Sequence, residues 1–150
     1  NNFINQTIEN NKADIAVVQI PNAIMRYNDK VNNGFGVMSF FYSQAINPDY
    51  IILCIDFSNI NEKYINMINS YIKNMMGKDI DIICVSNCLV DKNCINTLNK
   101  ISYLRINSMI LQNGIDEFKK LNNSIKIQNL LDDLVAIDLV DNILKKLKKE

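Results

Sequence analysis

Three stretches of the chain are almost unbroken in apolar character: residues 14–20 (DIAVVQI), 49–55 (DYIILCI) and 79–85 (DIDIICV). Short runs of this kind, rich in β-branched residues and bounded by turn formers, predict strands covered on both faces. Residues 102–106 (SYLRI) predict a fourth strand and residues 125–128 a fifth. Between them the period lengthens. Tyr64, Ile65, Ile68, Tyr71, Ile72, Met75 and Met76 recur every three or four positions, one face of a helix. Asn59 is placed to cap its start with Glu62 three residues on, and Gly77 supplies a left-handed stop.

Residues 34–46 (GFGVMSFFYSQAI) are apolar nearly all round, which predicts a buried helix ended by Asn47-Pro48. Residues 86–100 predict a loop and a short helix, and residues 116–121 another short helix. The last helix sets Leu130, Leu131, Leu134, Ile137, Val140, Leu144 and Leu147 on one face. Its acids, Asp132 and Asp133, come early and its lysines, Lys145, Lys146, Lys148 and Lys149, come late, the order that complements the helix dipole. The lysine run therefore reads as a solvated helix end. Residues 1–12 form a helical lead-in, and Asn1 in place of methionine suggests a piece of a longer protein.

Strand and helix alternate five times with short connections. Such a rhythm requires crossovers, and right-handed crossovers make a parallel sheet. The expected fold is α/β: a doubly wound three-layer sandwich of about five mostly parallel strands, flavodoxin- or Rossmann-like, as a single domain over residues 1–150. No internal repeat or low-complexity linker interrupts it.

Composition narrows the functions. Sixteen basic and sixteen acidic residues cancel, so the chain lacks the electrostatic footprint of a nucleic-acid-binding protein. No apolar run approaches the roughly 18 to 20 residues that span a bilayer, and no signal-peptide pattern is present. The expected setting is the cytoplasm, without membrane or nucleic acid as partner. Abundant asparagine, isoleucine and lysine reflect a low-GC bacterium. Histidine is absent, which removes Ser-His-Asp and Cys-His catalysis and every histidine ligand. This points away from an enzyme.

In an open parallel sheet, ligands bind beyond the carboxyl ends of the strands. That rule selects three loops. The first holds Asn22 and Arg26 and leads into Gly34 and Gly36 at a helix start, where glycines free backbone N–H groups to meet an anion. The second carries Asp56 and Ser58, the third Ser86 and Asn87. Neither GxxxxGK[ST] nor GxGxxG after a strand occurs, so no nucleotide fingerprint and no cofactor is implied. Close packing of the first helix explains Gly34 and Gly36 equally, and capping or turn formation explains Asp56.

Four cysteines complete the list. Cys54 and Cys84 fall in predicted buried strands, where cysteine acts as a small apolar residue. Cys88 and Cys94 lie in a loop, but the spacing fits neither zinc nor iron–sulfur patterns, so a metal there is the weaker alternative to free thiols.

Ile20-Pro21, Gly34-Phe35-Gly36, Ala45-Ile46-Asn47-Pro48-Asp49 and Val85-Ser86-Asn87 together give a chain that resembles the C-terminal domain of a bacterial peptide-maturation-system protein. The resemblance runs from about Asp14 to Leu147. It departs at Asn22-Ala23, where the family tends to glycine. It implies an accessory role beside natural-product gene clusters, with maturation proteins or a precursor peptide as partners and no assigned reaction. The expected function is a binding or scaffold domain without catalysis. The alternative is a Rossmann-like domain for a small anionic or phosphorylated ligand.

Overall fold

The structure is a computed structural model that describes residues 2–21, 23–26, 28–31, 36–122, 125–129 and 131–148, with the backbone alone for residues 2–5. The chain divides into two compact units, Asn1–Asn47 and Pro48–Glu150. The first contains helices α1 (Asn2–Asn11) and α2 (Val37–Ala45). Asn28 turns the chain between them, its side-chain oxygen accepting from the N–H groups of Lys30 and Val31.

Two expectations change here. Residues 15–20 carry no strand, and Val17 is 92% exposed. β-branched composition favours a pleated, half-covered surface but does not create one, and no described strand pairs with this segment. Helix α2 is not buried all round either. Ser39 is buried, whereas Val37, Phe40 and Phe41 are exposed, because an apolar helix needs cover on every side and this small unit supplies little.

The second unit runs β1 (Ile52–Asp56), a 3-10 turn (Phe57–Asn59), α3 (Glu62–Met76), β2 (Ile82–Ser86), β3 (Cys88–Val90), α4 (Lys92–Leu98), β4 (Tyr103–Arg105), α5 (Ser108–Leu121), β5 (Ile127–Asn129) and α6 (Asp133–Leu147). It is mixed α/β. Strands β1, β2 and β5 form a parallel sheet in that order, with Ile52 beside Ile82, Cys54 beside Cys84 and Ile83 beside Ile127. The order progresses in one direction without reversal. The fourth predicted strand is real but runs antiparallel: β4 pairs with β3 in a separate two-stranded ribbon. Asn87 alone separates β2 from β3, which leaves the parallel sheet too soon for β4 to join it.

Alternation sorts the sheet into two faces. Leu53, Ile55, Ile83, Val85 and Ile127 share one face and are buried, together with the apolar stripes Ile65, Ile68 and Ile72 of α3 and Leu111, Ile115 and Phe118 of α5. On the other face, Leu139 of α6 packs with Ile82 and Cys84, and Tyr50 and Ile143 close around them. The last helix thus turns a different side to the sheet from the one its leucines predict: Leu134, Ile137 and Val140 are exposed. Caps also shift. Asn61, not Asn59, caps α3 by accepting from the Tyr64 N–H at 2.8 Å, and Gly77 ends the helix at φ 71°. Helix α5 starts eight residues earlier than its apolar run indicates, at an Asn107 cap.

Candidate functional site

The carboxyl ends of the parallel strands bring four of the expected residues together. Asp56 ends β1 and stands beside Ser86, the last residue of β2, with Ser58 and Asn87 one or two residues beyond. Their bonds are mostly internal. Asp56 Oδ2 accepts from the Asn59 side-chain amide at 2.7 Å, fixing the 3-10 turn. Ser58 Oγ accepts from the Val90 N–H at 2.8 Å and ties that turn to β3. Asn87 takes the Ile106 N–H on its carbonyl at 2.9 Å and so registers the β3–β4 ribbon. These side chains shape the edge of the sheet. Asp56 Oδ1 is the exception, buried and without a hydrogen-bond partner among the described residues. Burial raises the Tyr64 hydroxyl above its ordinary value, and the negative charge of Asp56 adds to the rise.

The first predicted loop belongs to the other unit. Asn22 and Gly34 lie outside the described residues. Arg26 forms an exposed ion pair with Asp29 at 3.0 Å. Gly36 precedes α2 at φ 71°, where a Cβ would stand 1.9 Å from the Ile24 carbonyl oxygen. Close backbone approach, the packing explanation, accounts for that glycine.

The cysteines separate in the same way. Cys94 Sγ donates to Asp91 Oδ2 at 3.3 Å in the first turn of α4, and this bond holds its thiol above the ordinary pKa. Cys88 stands on β3, and no three His, Cys, Asp or Glu side chains converge as a metal site among the described residues. Cys84 is pushed up to about 11, first by burial and then by neighbouring Cys54.

What the sequence does not disclose is the state of β1. Among the described strands it is an edge strand, and Ile52 and Cys54, on the face it shares with β2, are exposed. Ile52 is 44% exposed and Cys54 is exposed, while their partners Ile82 and Cys84 are 4% and 0% exposed. A continuous apolar run reads as covered on both faces, so periodicity offers no signal for the bare half. Edge strands are usually blunted by lysine, proline or a bulge. Residues 52–55 (ILCI) have none of these. Among the described residues no helix is long and apolar enough to cross a membrane. Comparison with protein-family models, with curated proteins and with solved structures finds no match to this chain.

Proposed function

We propose that the chain is an accessory binding domain without chemistry of its own, which takes an extended peptide along β1 by strand addition. The observation that carries this is the uncovered apolar edge: Ile52 and Cys54 exposed beside buried partners, on a strand flanked on one side only among the described residues. An added strand would bond to the outward main-chain groups of β1 and set alternate apolar side chains against Ile52 and Cys54. A precursor peptide, the partner that the motif resemblance implies, would be a ligand of this kind. The architecture belongs to the same reading: a Rossmann-like layering with β1, β2 and β5 as its parallel strands, wound in one direction.

Panning a random peptide library against the immobilised chain tests the proposal. Enriched peptides should alternate apolar and polar residues, protect the amides of residues 52–56 from exchange, and lose about tenfold or more in affinity to Ile52→Asp, a charge set into the contact. Peptides that bind Ile52→Asp equally well, or that protect another segment, would exclude β1 as the docking edge.

A further inference from the structure

At the opposite ends of the same strands lies a cavity of about 650 Å³. It is walled by the residues leading into each strand and by the last turns of two helices. Tyr50 precedes β1, Asp81 precedes β2 and Lys126 precedes β5, while Lys119 comes from α5 and Lys146 from α6. We infer that this cavity is a binding site for a small oxyanion that also donates a hydrogen bond: a hydrogen phosphate or a hydroxycarboxylate.

Charge makes the first part of the case. Three lysines face one carboxylate, and that carboxylate is fully engaged. Asp81 Oδ2 accepts from the Ile51 N–H at 2.7 Å, and Oδ1 holds Lys146, whose ammonium also sits 5.2 Å from the centre of the Tyr50 ring. Lys119 and Lys126 have no carboxylate within ion-pair distance among the described residues. Lys119 and Lys146 stand in the last turns of their helices and complement the dipoles there. Lys126 has no such role, because it leads into a strand. It lines the cavity from an exposed position.

The second part is the wall itself. Gln128 lines the cavity, and its Oε1 is buried with no hydrogen-bond partner among the described residues. Buried polar atoms are rarely left unsatisfied. An amide oxygen accepts only, so an anion built solely of acceptors cannot satisfy it. Hydrogen phosphate carries one O–H and a hydroxycarboxylate another, whereas sulfate and acetate carry none at neutral pH. Burial and the charge of Asp81 raise the Tyr50 hydroxyl above its ordinary value, so it stays protonated and able to donate to the oxyanion. Lysine ammonium groups and a phenol for the charge, with one amide oxygen for the proton, define the ligand class.

The inference is independent of peptide binding at β1. It is tested on the whole chain by thermal unfolding in sodium phosphate, sodium sulfate, glycolate and acetate at matched ionic strength. Ligands that bind the folded state raise the midpoint by mass action. Phosphate should raise it more than sulfate, or glycolate more than acetate, and the pair that separates identifies which of the two oxyanions is preferred. Lys126→Ala, at an exposed position, should weaken the response about tenfold, as expected for one lost charge-assisted contact. Gln128→Glu, which sets a second anion against the ligand, should abolish it. Ile52→Asp should leave it unchanged, which separates this site from β1. Equal midpoints in all four salts, or a response that survives Lys126→Ala and Gln128→Glu intact, would overturn the assignment.

Discussion

Gly77 ends α3 on backbone geometry alone. Its φ is 71°, and nothing lies within 4 Å of the place a Cβ would occupy. Gly77→Ala therefore meets no clash and pays only for the left-handed conformation, offset in part by the unfolded-state entropy that glycine otherwise loses. The expected loss of stability is about 1 kcal/mol. It should appear as a lower urea midpoint with an unchanged slope. No loss would mean that the helix does not stop there. Gly36 has the same φ but crowds the Ile24 carbonyl, so the two glycines meet different requirements within one chain. The sequence distinguishes a helix stop from other glycines by position, and Gly77 was legible for that reason. What stands opposite a glycine is a tertiary fact, so Gly36 could be read equally as an anion cradle or as packing. Asp56 is similar: its place at a strand end was legible, whereas the partition between one bonded and one orphaned oxygen was not.

At the scale of elements, Asp79 joins the end of α3 to the start of β2. Its carboxylate accepts from Lys73 at 2.8 Å and from the Asn69 amide at 2.9 Å, and Asn69 in turn accepts from the Ile80 N–H at 2.8 Å. The Lys73 hydrogen bond, then the one from Asn69, holds Asp79 below its ordinary pKa. A carboxylate with a depressed folded pKa stabilises the fold above its unfolded value of about 3.9, and loses that contribution as pH falls through the folded value. Asp79→Asn should therefore lower stability at neutrality by a small amount, because the pair is exposed, and flatten the fall below about pH 4 by that same amount. Urea midpoints collected across that range, with a carboxyl titration by NMR, provide the measurement. An unaltered acid limb would mean the bond forms only transiently. Legibility here follows amphipathicity. α3 has a full apolar stripe and was readable end to end, apart from its cap. α5 hides its first half behind Gln112, Asn113 and Gly114, although Leu111 and Ile115 lie in its buried face. The strand expected at residues 14–20 failed because composition specifies a surface to be covered without supplying the neighbour that covers it.

For the whole molecule, burial is concentrated in one place. β2 is central in the parallel sheet, and Ile82, Ile83, Cys84 and Val85 are at most 4% exposed, with neighbours on both edges and both faces. Residues 15–20 have no ladder, and all of them but Ile20 are exposed. Local opening spans free energies from near zero in such segments up to the global value in a central strand. Hydrogen exchange should reproduce this order: β2 amides exchanging only through global opening, β1 and β5 amides next, and residues 15–20 near intrinsic rates. The two edges make the experiment discriminating. β1 lacks cover on one face while β5 is backed by α5, so equal burial of the outer strands would predict equal protection, and the uncovered face predicts faster exchange in β1. If β1 exchanged as slowly as β2, its outer edge would already be occupied in solution, and an added peptide would have no vacant edge to pair with. If residues 15–20 were protected together with β1, the chain would supply that occupant itself. Faster exchange in β1, suppressed by an enriched peptide, leaves the bare edge as the place where the fold and the proposed binding function meet.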